Sequence, residues 1–410
     1  MKNILIITKI ASTKKEGFES RISCIAQEFS KKGHKTEIIT SDSNHLAYYK
    51  EQNSSIQRYD YNGVSFRILR TLRYKKTISV KRVMSWIDFE WKLFLNSGKL
   101  IDYEPDTIIV SSLSLLTVIN GLILKRKFKK AKLIFEVRDI WPLTLIEEGG
   151  YSKYHPAVFF LGLIEKIGYK YYDAIVGTMP NLVEHVEYVL NKKVKNVHCV
   201  PFGIYTESYL LNDSLTYNKS LVDFKEKTKN SFTIGYAGSI GLSNGLETLV
   251  NVIKEFKYIK NLNFVFVGEG GYKEKFQKEL SGFSNVTFTG RVERDLVKYY
   301  LDNCNVLFIG TLPSKVWDYG WSLNKMSDYM MSGKPIIAEY DGYRSMINES
   351  ESGFFVKSRN NTELKNIIIK LSNMDSENLK EIGEKGKDWI IKNRSWEKIS
   401  CDYLRIINRL

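Results

Sequence analysis

Cysteine and histidine are scarce in this 410-residue chain, and neither is arranged for chemistry. The four cysteines, Cys24, Cys199, Cys304 and Cys401, show no paired spacing, so neither a disulfide framework nor a zinc knuckle is indicated. The five histidines form no ligand pattern. The reading is a reduced, cytoplasmic compartment and no structural metal. Acidic residues are outnumbered as well: 46 against 61 Lys and Arg, a net charge of +15. That excess favours an anionic partner, whether nucleic acid, anionic lipid or a phosphorylated small molecule, without choosing among them. Residue-level repeats and low-complexity tracts are missing. Long apolar runs nearly are: Thr107 to Leu124 has 18 residues without a charge, the lower limit for a membrane span. Its first part, "DTIIVSS", reads as a buried strand, and "LSLLTVINGLILKRKF" reads as a buried helix ending in a basic turn. The opening "MKNILIITKI" is followed by polar "STKKEG" and no small-residue cleavage site, so it is expected to be a first buried strand rather than a signal peptide.

What is present is a composition of ordinary globular type, 43% hydrophobic and 26% charged, in a chain too long for one core. Short apolar runs alternate with amphipathic helical stretches. The first half offers "NILIIT", "KTEIIT", "DTIIVSS", "AKLIFEV", "DAIVGT" and "VHCVPFG" as strands. After a polar stretch the alternation restarts with "FTIGYAG", "LNFVFVGEG", "NVTFTGRV", "NVLFIGT", "KPIIAEY" and "SGFFV". Such alternation predicts doubly wound parallel sheets. The expected division is a domain over 1–205, a linker over 206–230 and a second domain over 231–394, with the terminal helix near 395–410 crossing back onto the first.

In open parallel sheets ligands sit beyond the carboxyl ends of the strands. The second half concentrates unusual residues there. "YAGSIGLSNG" supplies Gly238 and Ser239, whose amides can approach an anion closely. "VGEGG" supplies Glu269 and "TGRV" supplies Arg291. "YGWSLNKMSDYMMSGKP" opens a helix, with Ser322 expected as its N-cap. Asn324 and Lys325 fall in the first turn and Asp328 one turn on. A cation opposes the dipole at a helix N-terminus, so Lys325 suits a phosphate brought by a ligand better than it suits the helix. The bland reading, an exposed Lys–Asp surface pair, is worth only about 0.2–0.5 kcal/mol.

At these residues the chain resembles glycosyltransferase family 4, whose members have the GT-B fold, an α/β architecture of two tandem Rossmann-like domains with a cleft between them. "SLNKMSDYMMSGKPIIA" is similar to its donor-site signature, and "YAGSIGLSNGLETL", "FVGEGG" and "FTGRV" follow in the family's order. "EVRDIWPLTLIEEGG" and "EGFESRISCIAQEFSKKGHKTEIIT" resemble first-domain segments of the bacterial branch that builds O-antigen and capsular polysaccharide. The resemblance implies that Asn324 and Lys325 face a donor diphosphate and that Asp328 binds the nucleotide ribose. It places Gly238 and Ser239 by the phosphates and Arg291 near the base. Gly17 would approach the donor phosphate from the first domain, with Arg21 beside it. The chain departs from the pattern at Gly320, where the family carries a sugar-binding glutamate. It also departs at Arg138, where many members carry a histidine.

The implied reaction is retaining transfer of a sugar, expected to be an N-acetylated amino- or deoxyamino-sugar, from a UDP-sugar to a polyprenyl-diphosphate-linked saccharide. Lys325 would stabilise the leaving diphosphate without a metal or other cofactor. Arg138 and Asp139 are the other catalytic candidates, with Asp139 able to orient or deprotonate the acceptor. Between Tyr61 and Ile87 no acidic residue occurs, while Arg67, Arg70, Arg73, Lys75 and Lys76 cluster with Trp86. That mixture suits an acceptor or an anionic membrane surface, which makes the expected protein a peripheral one at the cytoplasmic face of the inner membrane. Two rivals are a UDP-sugar 2-epimerase of the same fold and a non-catalytic nucleic-acid or membrane binder. The first would need histidines in the donor motifs, and the second leaves the "SLNK…D" set unexplained.

Overall fold

In a computed structural model the chain is described over residues 1–44, 49, 54–74, 79–112, 114–206, 219–259 and 261–410. It divides into two compact units, one of Met1–Gly203 with Trp396–Leu410 and one of Ile204–Ser395.

The first unit is built on eight strands: β1 (Asn3–Thr8), β2 (Lys35–Ser41), β3 (Ile56–Tyr61), β4 (Val64–Leu69), β5 (Thr107–Ser112), β6 (Lys132–Val137), β7 (Ala174–Gly177) and β8 (Val197–Cys199). Their order is β3-β4-β2-β1-β5-β6-β7-β8, with all neighbours parallel except the β3–β4 pair. Central strands read as unbroken apolar runs because helices cover both faces. Helix α1 (Arg21–Lys31) places Ile22, Ile25, Ala26 and Phe29 on one buried stripe and ends at Gly33, whose φ is +83. Against it lies the terminal helix Trp396–Arg409, where Tyr403 meets Phe29 edge-on at 5.7 Å.

The uncharged stretch from Thr107 divides as its pattern indicated, into β5 and helix α3 (Thr117–Lys127), which follows α2 (Val80–Leu100) in the chain. Among the described residues no helix is long and apolar enough to cross a membrane.

The β3–β4 hairpin is not among the expected strands. Its two-residue turn, Asn62-Gly63, has both φ angles positive, at 48 and 78, the geometry that matches the twist of flanking strands. This corrects the reading of Arg67 as an acceptor or membrane contact. Arg67 lies on β4, is buried, and reaches Glu37 on β2 at 2.7 Å and Asp102 at 3.0 Å. Arg21 is likewise a core residue rather than a ligand contact. Only 2% exposed, it pairs with Glu136 at 2.8 Å and donates to the Val200 carbonyl at 2.5 Å, while Ser111 donates to the same carboxylate. An arginine and a carboxylate withdrawn together from water tolerate each other only as a pair.

The second unit holds β9 (Phe232–Ala237), β10 (Leu262–Val267), β11 (Val286–Gly290), β12 (Val306–Gly310), β13 (Ile336–Glu339) and β14 (Gly353–Val356) in the order β11-β10-β9-β12-β13-β14, all parallel. The stretch expected as a linker is not wholly one. Lys219–Thr228 is a helix whose Leu221 and Phe224 are buried in this unit's core, Phe224 lying 4.9 Å from Tyr300. Its two anchors, three residues apart in a Lys- and Asp-rich setting, are too few to register as an apolar run.

Removing one member of the buried pair strands the other. Arg21→Ala should therefore destabilise the chain by about 3–5 kcal/mol in denaturant unfolding, and Arg21→Met/Glu136→Leu should recover most of that loss.

Candidate functional site

In the second sheet the chain runs outward from β9 to β10 and β11 on one side, and from β12 to β14 on the other. The topological switch point therefore lies between β9 and β12. These two strands pair only at Ile234 and Gly235, whereas β10 follows β9 as far as Ala237. Ala237 thus has no strand partner on the β12 side. The hydroxyl of Tyr329 fills the opening: it accepts from the Ala237 amide at 2.7 Å and donates to the Ala237 carbonyl at 3.2 Å. Tyr329 belongs to the helix Asn324–Met331, so this bridge pins that helix to the end of β9.

The helix begins at Asn324 with Leu323 as its N-cap, not Ser322, and no side chain caps it. Its first turn holds no acidic residue. Lys325 projects back to the switch point, where Nζ donates to the Tyr236 hydroxyl at 3.1 Å and to Asn244 Oδ1, and lies 4.8 Å from the Tyr236 ring centroid. Among the described residues it has no carboxylate partner. Burial without a counter-charge lowers its pKa to about 8. The Ser322 Oγ, Trp321 Nε1 and Thr311 Oγ1 atoms are also buried without a hydrogen-bond partner among the described residues. An ammonium without a carboxylate partner among the described residues, in the first turn of a helix that no side chain caps, suits an anion.

The loop after β9 has the same purpose. A Cβ on Gly238, whose φ is +150, would stand 3.2 Å from Lys325 Nζ, so only glycine leaves the ammonium accessible. Ser239 accepts from the Tyr236 hydroxyl through its carbonyl at 2.6 Å, which holds the loop against the strand. Glu269 and Arg291 come together at the ends of β10 and β11. Lys273 pairs with Glu269 at 2.5 Å and holds its pKa low, and the Arg291 amide donates to the same carboxylate. Asp328 lies half-buried one turn beyond Lys325.

In the first unit, Arg138 and Asp139 follow β6. The Arg138 guanidinium lies 5.5 Å from the Phe202 ring centroid, and burial lowers its pKa. Asp139 is open to solvent yet crowded by protein; desolvation raises its pKa while Arg138 and Arg82 pull it down. Gly17 is exposed with φ +130. Of the expected basic cluster, Arg70 is exposed, Arg73 pairs with Asp42 at 3.3 Å, and Lys75 and Lys76 lie outside the described residues. Trp86 is turned inward against Trp141 at 5.4 Å rather than offered to a ligand. Sequence reasoning missed a second polar centre, at the switch point between β1 and β5. There Lys9 donates to Ser41 Oγ at 2.7 Å and its pKa is lowered to about 7 by burial. Glu90, bonded to Ser114, Thr117 and Asn120, is raised to about 7, again by burial. Among the described residues no group of three or more His, Cys, Asp or Glu is placed to hold a metal.

Residues 219–389 match the family "Glycosyl transferases group 1". The matched segment lies within the second unit and spans most of it. The chain is a transferase, and an uncharacterized glycosyltransferase of Methanocaldococcus jannaschii is 25% identical over 331 residues, 78% of each chain. Solved structures of the same architecture include the sucrose-phosphate synthase of Thermosynechococcus elongatus, 16% identical with a TM-score of 0.72 over 100% of this chain and 99% of that one. HepE of Anabaena, in complex with UDP and glucose, is 13% identical with a TM-score of 0.65 over 100% of both chains. These likenesses establish a GT-B fold.

Within the matched segment, Gly320 has a backbone conformation of its own. It ends the short turn Lys315–Tyr319 with φ +99 and ψ 163, a conformation in which a side chain would be strained. Beside it Trp321 meets Tyr340 at 3.8 Å, the rings tilted by 36°.

The low pKa of Lys325 sets a pH dependence for any anion bound beside it. An anion raises that pKa, so binding takes up a proton above about 8, and only there. Affinity should hold from pH 7 to 8 and then weaken about tenfold per pH unit. In Lys325→Arg, whose charge persists, calorimetric titration should show that extra slope removed.

Proposed function

We propose that this glycosyltransferase moves a sugar, an N-acetylated amino- or deoxyamino-sugar, from a UDP-sugar to a polyprenyl-diphosphate-linked saccharide with retention of configuration, in synthesis of an O-antigen or capsular polysaccharide. The observation that carries the reading is the buried Lys325 ammonium, free of carboxylates among the described residues, at the switch point of the second sheet. As the glycosidic bond breaks, negative charge develops on the leaving β-phosphate. A cation already desolvated in place stabilises it without reorganising. Gly238 and Ser239 bring backbone amides to the phosphates, Asn324 the first amide of the helix, and Asp328 a ribose contact. Ser322, Glu269 and the backbone at Arg291 complete the nucleotide end.

Support for UDP as the carrier comes from relatives of the same fold: HepE holds UDP and glucose, and an E. coli trehalose-6-phosphate structure is bound with UDP-2-fluoro glucose. Their names do not extend to a lipid-linked acceptor; that part rests on "EVRDIWP" and on the basic, aromatic first unit. Asp139, with its raised pKa, is the group available to orient or deprotonate the acceptor hydroxyl. Gly17 and Arg138 stand with it on the first unit. Chemistry of this kind belongs at the cytoplasmic face of the inner membrane, without a cofactor beyond the sugar donor.

Purified protein incubated with a panel of UDP-sugars and a lipid-diphosphate saccharide should release UDP and form a lengthened product with one donor. Lys325→Ala should lower turnover by about 10²–10³-fold with an unchanged circular dichroism spectrum. Failure to bind UDP, together with no transfer from any nucleotide sugar, would overturn the reading.

A further inference from the structure

Helix α2 is apolar on the side where a surface helix is normally polar. Its core face carries Ser85, Trp86, Phe89, Glu90, Leu93 and Leu100, all buried. Opposite lie Val80, Val83, Met84, Ile87, Trp91 and Leu95, exposed by between 49% and 76%. At 3.6 residues per turn these six fall within roughly 60° of one line along the helix. They form a continuous outward stripe rather than scattered surface hydrophobics, which need no explanation.

The stripe is not isolated. Helix α2 packs on α3, and α3 packs on α5 (Pro156–Tyr171), so the three form one layer. In that layer α5 exposes Phe159, Phe160 and Leu163, again on one helical face, and α3 exposes Ile119. The loop carrying Asp139 joins the outer helices: Trp141 meets Trp86 of α2, and Pro142 lies against Gly162 of α5.

Charge decides the occupant. Lys81 and Lys99 lie along one flank of the α2 stripe, with Lys92 between them paired to Asp88 at 2.9 Å, and Arg126 and Lys127 close the last turn of α3, where Lys125 turns to Asp173 at 3.4 Å. A helix with bulky apolar residues on one face and lysines along its edge lies in the plane of a bilayer, apolar face down, with its cations at the headgroups. We infer that the outer face of α2, with α5 beside it, is a docking surface for an anionic lipid bilayer. The inference deepens the reading above, since a lipid-linked acceptor is reached from such a surface. It relocates the membrane contact from Arg67 and Trp86, which are turned inward, to Ile87, Trp91 and their neighbours.

Vesicle cosedimentation without any sugar nucleotide tests the surface apart from the transfer reaction. The full chain should sediment with mixed phosphatidylcholine–phosphatidylglycerol vesicles, less with phosphatidylcholine alone, and the emission of its tryptophans should shift to the blue. Ile87→Ser/Trp91→Ser should weaken binding at least about tenfold, and Lys81→Glu/Lys99→Glu should weaken it on anionic vesicles alone; both should keep UDP affinity. Absence of wild-type binding would overturn the proposal, as would unchanged binding by both variants. So would a stable dimer in light scattering that Ile87→Ser/Trp91→Ser dissociates, since the stripe would then be covered by a second copy. A protein that binds vesicles yet transfers no sugar leaves the surface standing and removes the transfer reading instead.

Discussion

A single unpaired ammonium organises the second unit. Lys325 is buried enough to lose much of the water that would stabilise its charge, and two neutral oxygens replace only part of that hydration. It also sits in the first turn of a helix, where the dipole repels it. Each cost would be removed by moving the side chain outward. Tyr329 prevents this by locking the helix to β9 through both backbone groups of Ala237. Gly238 keeps the space before the ammonium open, and Gly268 permits the close approach behind it, because a Cβ there would strike the Gly238 carbonyl. The strained glycines and the diverging strands thus serve one end, an electropositive point that meets no carboxylate among the described residues.

Lys9 aside, three arginines of the first unit are treated in the opposite way. Arg21 is matched by Glu136, Arg67 by Glu37 and Asp102, and Arg73 by Asp42. The Arg21 and Arg67 pairs are internal, securing a helix to a strand and one strand to another, whereas Arg73 stays exposed beside its partner. A net charge of +15 therefore says little about which arginines meet a partner. The contrast between Lys325 and Arg21 is in the carboxylate each does or does not face.

Much of the architecture was legible because parallel strands buried on both faces leave unbroken apolar runs, and ten or so residues of helical periodicity fit between them. The Lys325 helix was legible for a different reason: its charge violates the dipole rule, and violations of that kind concentrate at functional sites. What stayed hidden depends on contacts between distant segments. Nothing local marks Tyr236, Asn244 or Tyr329 as Lys325's surroundings, and only the fold brings 236, 244 and 325 together. The β3–β4 hairpin had a local signal, the Asn62-Gly63 turn, masked by the basic residues around it that drew attention to charge instead. Arg67 then looked like part of a surface patch, because a strand's alternation cannot be read until the strand itself is recognised. Ser322 was misplaced by one residue; helix ends are where capping chemistry and tertiary demand compete, and here the hydroxyl was left without a partner.

Gly320 shows how far such violations can be pressed. Absence of the family's glutamate could be a simple loss, repaired by any carboxylate nearby. The backbone at 320 argues otherwise, since a φ of +99 with ψ 163 is open to glycine and closed to glutamate without strain. Trp321 and Tyr340 meet beside it at 3.8 Å with their rings tilted by 36°, and the indole Nε1 is buried and unpaired among the described residues. Both rings are buried in the core of the second unit, so they hold the turn in this form and offer no face to a ligand.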